Sequence, residues 1–177
     1  MTLDDDGQIL VAASAVRSFA RPSGAEVRFA YDRGLLRDAD VVSLMLTLYE
    51  AKLQLSPEEE ELALLLSDDL GRVRTLVDRI VIEEALLSDY RRVWLYILIR
   101  LAVSQIESDA DNDAEDALFA VVRFFDYEPE LIALLPAPYG AFDQGDPLLS
   151  SERSLWVQTE TAWYQNRLAS QRERPAT

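Results

Sequence analysis

From Val93 to Val103 the sequence reads VWLYILIRLAV, a run of apolar residues interrupted only by Arg100. It falls well short of the roughly 20 apolar residues that a membrane-spanning helix needs, so it must be buried inside a folded domain. The spacing predicts a long helix from about Ser88 to Glu107, carrying Trp94, Leu95, Leu98, Leu101, Ala102 and Ile106. Such a helix is apolar on more than one face, which places it at the centre of a bundle. Its tryptophan and tyrosines then read as core residues rather than a ligand platform.

Helical spacing also organises the rest of the chain. Ile9, Leu10, Ala13, Val16 and Ala20 suggest a short first helix, with a strand through ILVA as the alternative for part of it. The break at Arg21-Pro22-Ser23-Gly24 ends it. A second helix follows through AEVRFAYDRG and stops at Gly34. Asp38 or Asp40 is the expected cap of a third helix, with Val41, Leu44, Met45, Leu48 and Leu53 as its apolar stripe. Ser56-Pro57-Glu58-Glu59 opens a fourth, with a capping serine, proline at the first helical position and glutamate at the third. Leu62, Leu65 and Leu66 are its expected buried side.

A further helix begins at Asp68 or Asp69 and carries Leu70, Val73, Leu76, Val77 and Ile80. Beyond the long helix, Leu118, Val121, Val122 and Phe125 share one face, and Pro129 opens a short helix ending before Pro136. An irregular loop over 136–147 leads to a last helix near Ser151 to Ser170, with Leu155, Trp156, Thr159, Trp163 and Leu168. The expectation is an all-α single-domain bundle of about seven to nine helices over residues 1–177, with a hint of loosely solenoidal helical pairs. Residues 1–7 and 171–177 are expected to fray.

The 177 residues contain no cysteine and no histidine. This excludes thiolate nucleophiles, Cys/His zinc sites, Ser-His-Asp triads and histidine general bases. No P-loop or GxGxxG is present, and nothing singles out a catalytic carboxylate pair among 32 acidic residues. No catalytic, cofactor-binding or metal-ligating residue is therefore assigned. With 17 basic residues against those 32, the formal net charge is −15. Such a field repels nucleic acid and anionic membranes and attracts cationic partners. The start, MTLDDDG, lacks the basic and apolar regions of a signal peptide, so a soluble cytoplasmic protein is expected.

Residues 107 to 116 read ESDADNDAED. Asp109, Asp111 and Asp113 alternate as at the start of a calcium-binding loop, but Ala114 stands where the turn wants glycine. Ala120 stands where the closing glutamate belongs. The stretch reads instead as a connector whose Asp111, Asn112 or Asp113 caps the next helix, with Glu115 and Asp116 in its first turn. Capping accounts for only part of this charge. Glu107, Asp109, Asp111, Asp113, Glu115 and Asp116 are thus the candidate partner-binding surface. Glu58, Glu59, Glu60 and Glu61 form a second candidate that helix-end electrostatics already explain.

The Gly34-Leu35-Leu36 turn before a capped helix, the Ser-Pro-Glu-Glu helix start and the Tyr127-Glu128-Pro129 turn resemble a bacterial family known only as a domain of unknown function. The resemblance covers about residues 20 to 136. Small, acidic, helical families of this kind are frequent among immunity proteins encoded beside bacterial polymorphic or contact-dependent toxins. The resemblance therefore implies an immunity role; together with the charge of −15 and the missing catalytic apparatus, the expectation is a protein that neutralises a cognate cationic toxin domain, a basic nuclease, through an acidic surface. The resemblance carries over no site residues. The alternatives are a helical scaffold that binds a peptide or protein and, last, an enzyme using carboxylates and a metal.

Overall fold

The computed structural model describes residues 1–3, 7–108, 113–132, 134–135 and 147–172, with backbone alone at some helical positions. Among the described residues the protein is all-α apart from one pair of two-residue strands. Its chain divides into two compact units, Met1–Ile97 and Leu98–Thr177. The division falls inside a helix, where no change of composition marks it.

The first unit opens with β1 (Thr2–Leu3) and β2 (Ile9–Leu10), antiparallel, with Thr2 opposite Leu10 and Leu3 opposite Ile9. Residues 2 and 3 are therefore paired rather than frayed. Because Ile9 and Leu10 belong to a strand, α1 (Ala13–Arg17) is shorter than the apolar spacing suggested. The Ala13 N–H at its start donates to Asp40 Oδ1, 2.8 Å away.

Ser23 caps α2 (Gly24–Tyr31) in a reciprocal box: Glu26 N–H meets Ser23 Oγ, and Glu26 Oε2 accepts from Ser23 N–H at 2.7 Å. The helix closes on Gly34 at φ 74°, with Leu35 N–H bonded to Ala30 O and Gly34 N–H to Tyr31 O. This is the left-handed closure that glycine favours.

Helix α3 (Asp38–Glu50) corrects the expected cap. Arg37 occupies the cap position and makes no side-chain cap bond. Both aspartates serve other elements, Asp40 at α1 and Asp38 as acceptor for the Tyr31 hydroxyl at 2.7 Å. The stripe Val41, Leu44, Met45 and Leu48 is buried. Leu53, beyond the helix end, is 50% exposed.

Helix α4 (Pro57–Ala63) starts with the expected serine, proline and glutamate in a complete capping box. It ends at Ala63, so the helical spacing lapses there. Leu62 is buried, whereas Leu66 is 66% exposed. A 3-10 turn at Leu70–Arg72 leads into α5 (Val73–Val77), which buries Val73, Leu76 and Val77. A second at Glu84–Leu86 leads into α6 (Leu87–Ser108), close to the expected range. Every residue from Val93 to Ile99 is buried. Trp94 is fully enclosed, and its Nε1 donates to the carbonyl of the buried Glu26 at 2.7 Å.

The second unit contains the end of α6, then α7 (Asp113–Phe124), α8 (Pro129–Ile132) and α9 (Pro147–Arg172). Leu118, Val121, Val122 and Phe125 are buried as the spacing required. Of the loop expected over 136–147, residues 136–146 lie outside the described residues, and Pro147 already belongs to α9. Among the described side chains of α9 the buried ones are Arg153, Val157, Glu160 and Tyr164, not the expected stripe. Leu155 is 64% exposed. Arg153 can turn inward because its Nε donates to Leu134 O at 2.8 Å, a partner that hydrophobic spacing cannot reveal.

Candidate partner-binding surface

Two acidic stretches were candidates, and local folding separates their fates. The Glu58–Glu61 carboxylates differ in their local contacts. Glu59 Oε2 accepts from Ser56 N–H at 2.7 Å, and its side chain also covers Gly24 at the start of α2. Glu61 is ion-paired with Arg72 across the turn that follows α4. Glu58 is half-buried, and Glu60 is exposed in the first turn of α4.

The ESDADNDAED stretch joins α6 to α7. Glu107 lies in the last turn of α6, and Asp113 is the first residue of α7, inside its first turn rather than at its cap. Glu115 follows on the same turn, and Asp116 is exposed. Asp109 and Asp111 lie outside the described residues. The structure therefore brings Glu107, Asp113, Glu115 and Asp116 to the two helix ends that flank one connector. Carboxylates at Asp113, Glu115 and Asp116 also suit the positive end of α7.

A polar cluster in the first unit was missed by sequence reasoning. Arg74 meets Asp32 Oδ1 at 3.1 Å and Asp78 Oδ1 at 3.0 Å, while Arg28 Nε reaches Asp32 Oδ2 at 3.4 Å. Arg28 also donates to the carbonyls of Asp78 and Ile80, just past the end of α5. The Arg74 guanidinium stands 5.5 Å from the Tyr31 ring centroid. Burial, then the hydrogen bond and charge of Asp38, push the Tyr31 hydroxyl up to about 12. Arg28–Asp32 and Arg74–Asp78 are four-residue pairs readable in sequence, but their meeting at Asp32 needs the fold.

These contacts shape the electrostatics. Arg28, Arg72 and Arg74 are paired with carboxylates, Arg33 lies 3.6 Å from the Phe29 ring centroid, and Arg17 reaches the Ser43 and Thr47 hydroxyls. Arg153 is turned inward. Meanwhile Glu50, Glu60, Asp68, Asp69, Glu83, Glu84, Asp116 and Asp126 are exposed. Among the described residues, no group of three or more acidic side chains is placed to hold a metal ion.

Residues 15–132 match a family described as an uncharacterized protein conserved in bacteria (DUF2247). The chain belongs to this family. The DUF2247 match includes both acidic stretches and ends with α8, so α9 lies beyond it. Its bounds agree closely with the 20 to 136 drawn from the sequence motifs. No curated protein and no solved structure matches the chain. No described helix of this DUF2247 member is long and apolar enough to cross a membrane.

Proposed function

We propose that this chain is a bacterial immunity protein that binds and neutralises a cationic toxin domain, a basic nuclease, without catalysis of its own. The observation that carries the reading is the distribution of charge. The net charge is −15, and Glu50, Glu60, Asp68, Asp69, Glu83, Glu84, Asp116 and Asp126 face outward, so acidic groups outnumber the exposed basic ones such as Arg37, Lys52 and Arg79 in setting the field. Long-range attraction of that kind accelerates encounter with a basic protein and orients it before contact. An acidic surface seated over a nucleic-acid-binding cleft would occupy the place of the phosphates.

The acidic connector between α6 and α7 is the assigned contact, with Asp116 as its exposed described member. The test is co-expression with the proteins encoded beside the gene. Growth arrest by one neighbour, relieved when this chain is present and accompanied by a complex stable on gel filtration, is the expected result. A neighbour that arrests growth equally with and without the chain would overturn the reading. An adaptor for a helical peptide is the second reading, because Leu46 and Tyr49 stand exposed one turn apart on α3. Co-purification of a non-toxic helical partner, with no neighbouring toxin, would favour it.

A further inference from the structure

Phe119 and Tyr127 are each 46% exposed, yet their rings meet edge to face with centroids 6.1 Å apart and planes at 68°. Phe119 lies on α7, one turn after Asp116, and Tyr127 follows the helix end. That end closes with Tyr127 N–H on Val122 O at 3.0 Å and Asp126 N–H on Arg123 O at 3.1 Å, leaving Asp126 left-handed at φ 58°. This closure needs one left-handed residue. Tyr127, at φ 55°, is a second.

A bulky L-residue is disfavoured there, and the helix closure does not require it. The conformation sets the Tyr127 ring against Phe119 without burying either. The hydrophobic face of α7, formed by Leu118, Val121 and Val122, is elsewhere. A half-exposed aromatic pair fixed by unfavourable backbone geometry has the character of a preorganised contact surface.

The charge around the pair selects its occupant. Between positions 116 and 128 the chain has Asp116, Asp126 and Glu128 against one basic residue, the exposed Arg123. Asp116 and Asp126 are exposed beside the two aromatic positions. A guanidinium is flat enough to stack on a ring while its edge donates to carboxylates, whereas an ammonium offers no such plane. We propose that Phe119 and Tyr127 form an anchor for an arginine side chain of a protein partner, with Asp126 next to Tyr127 accepting its hydrogen bonds and Asp116 adding to the negative field along α7. The inference rests on the reading of this chain as a binder of a cationic protein, and adds the residue that the partner inserts.

The experiment uses the full chain and two labelled peptides of equal charge, hexa-arginine and hexa-lysine, followed by fluorescence anisotropy at low salt. The arginine peptide is expected to bind about fivefold more tightly, the advantage of an exposed cation–π contact. Phe119→Ala and Tyr127→Gly should each abolish most of that preference. Tyr127→Gly also relieves the left-handed strain, so its melting temperature should hold near wild type, which separates lost binding from lost folding. Equal affinity for both peptides, or a preference that survives in both variants, overturns the anchor. A neighbouring toxin that binds wild type and both variants equally also overturns it, while sparing the immunity reading. Peptide discrimination as expected, with no toxin bound, supports the anchor and sinks the immunity reading.

Discussion

At Gly24 a methyl group would fall on Glu59 Oε1 and lie 2.9 Å from its Cγ. The carboxylate cannot swing aside without releasing the Ser56 N–H that it accepts. Gly24→Ala is expected to cost about 1–3 kcal/mol in thermal or urea denaturation, the range for an overpacked site. Most of that penalty should vanish in a Glu59→Ala background, because the two changes share one contact. Tyr31 sets the behaviour at high pH. Its folded-state value, raised from 10.0 to about 12, means that the unfolded chain loses this proton first. Stability from this group is thus fully present below pH 10 and is lost as pH rises from there to about 12. Tyr31→Phe should flatten that decline in denaturation curves taken across the window. An equal slope in both proteins would remove Tyr31 as its source.

Individual elements show why sequence reading worked where it did. Ser56-Pro57-Glu58-Glu59 is a local signal, since the groups it satisfies lie within one helical turn, and α4 starts there. The Ser23 to Glu26 box has the same form and was legible too, although the Arg-Pro-Ser-Gly break drew the reading toward a turn. The bounds of α6 followed from apolar residues so dense that any helix containing them had to be buried. What could not be read depends on distant partners. Asp38 and Asp40 look like caps, but the fold gives them Tyr31 and α1 to bond. The inward face of α9 contains Arg153 because the Leu134 carbonyl is there to receive it. Leu155→Ser on the outward face should change stability by no more than about 0.5 kcal/mol, whereas Val157→Asn should cost about 1–3 kcal/mol by burying an amide. Trp94→Phe should cost a similar 1–3 kcal/mol, roughly, since it removes the donor to the buried Glu26 carbonyl. Chemical denaturation of the three variants orders these effects.

For the whole molecule, charge is the property from which function is argued. The excess of 32 acidic over 17 basic residues was legible at once, but its distribution was not. Glu61 is neutralised by Arg72, a residue 11 positions away that only the fold brings near. Glu59 is committed to a helix start. Asp116, in the first turn of α7, is exposed, and the Phe119–Tyr127 pair joins the same helix to the turn that follows it. Sequence reasoning named Tyr127 only as part of a turn, because exposure of an aromatic residue has no local signature. The central claim is that an acidic face captures a cationic toxin by electrostatic steering. The most direct measurement is the stopped-flow association rate of this chain with a toxin encoded beside it, taken at low and at physiological salt. The rate is expected to drop at least about tenfold as salt screens the field, with a wild-type advantage over an Asp113→Lys, Glu115→Lys, Asp116→Lys variant that is largest at low salt. A rate indifferent to salt and to these reversals would contradict that claim.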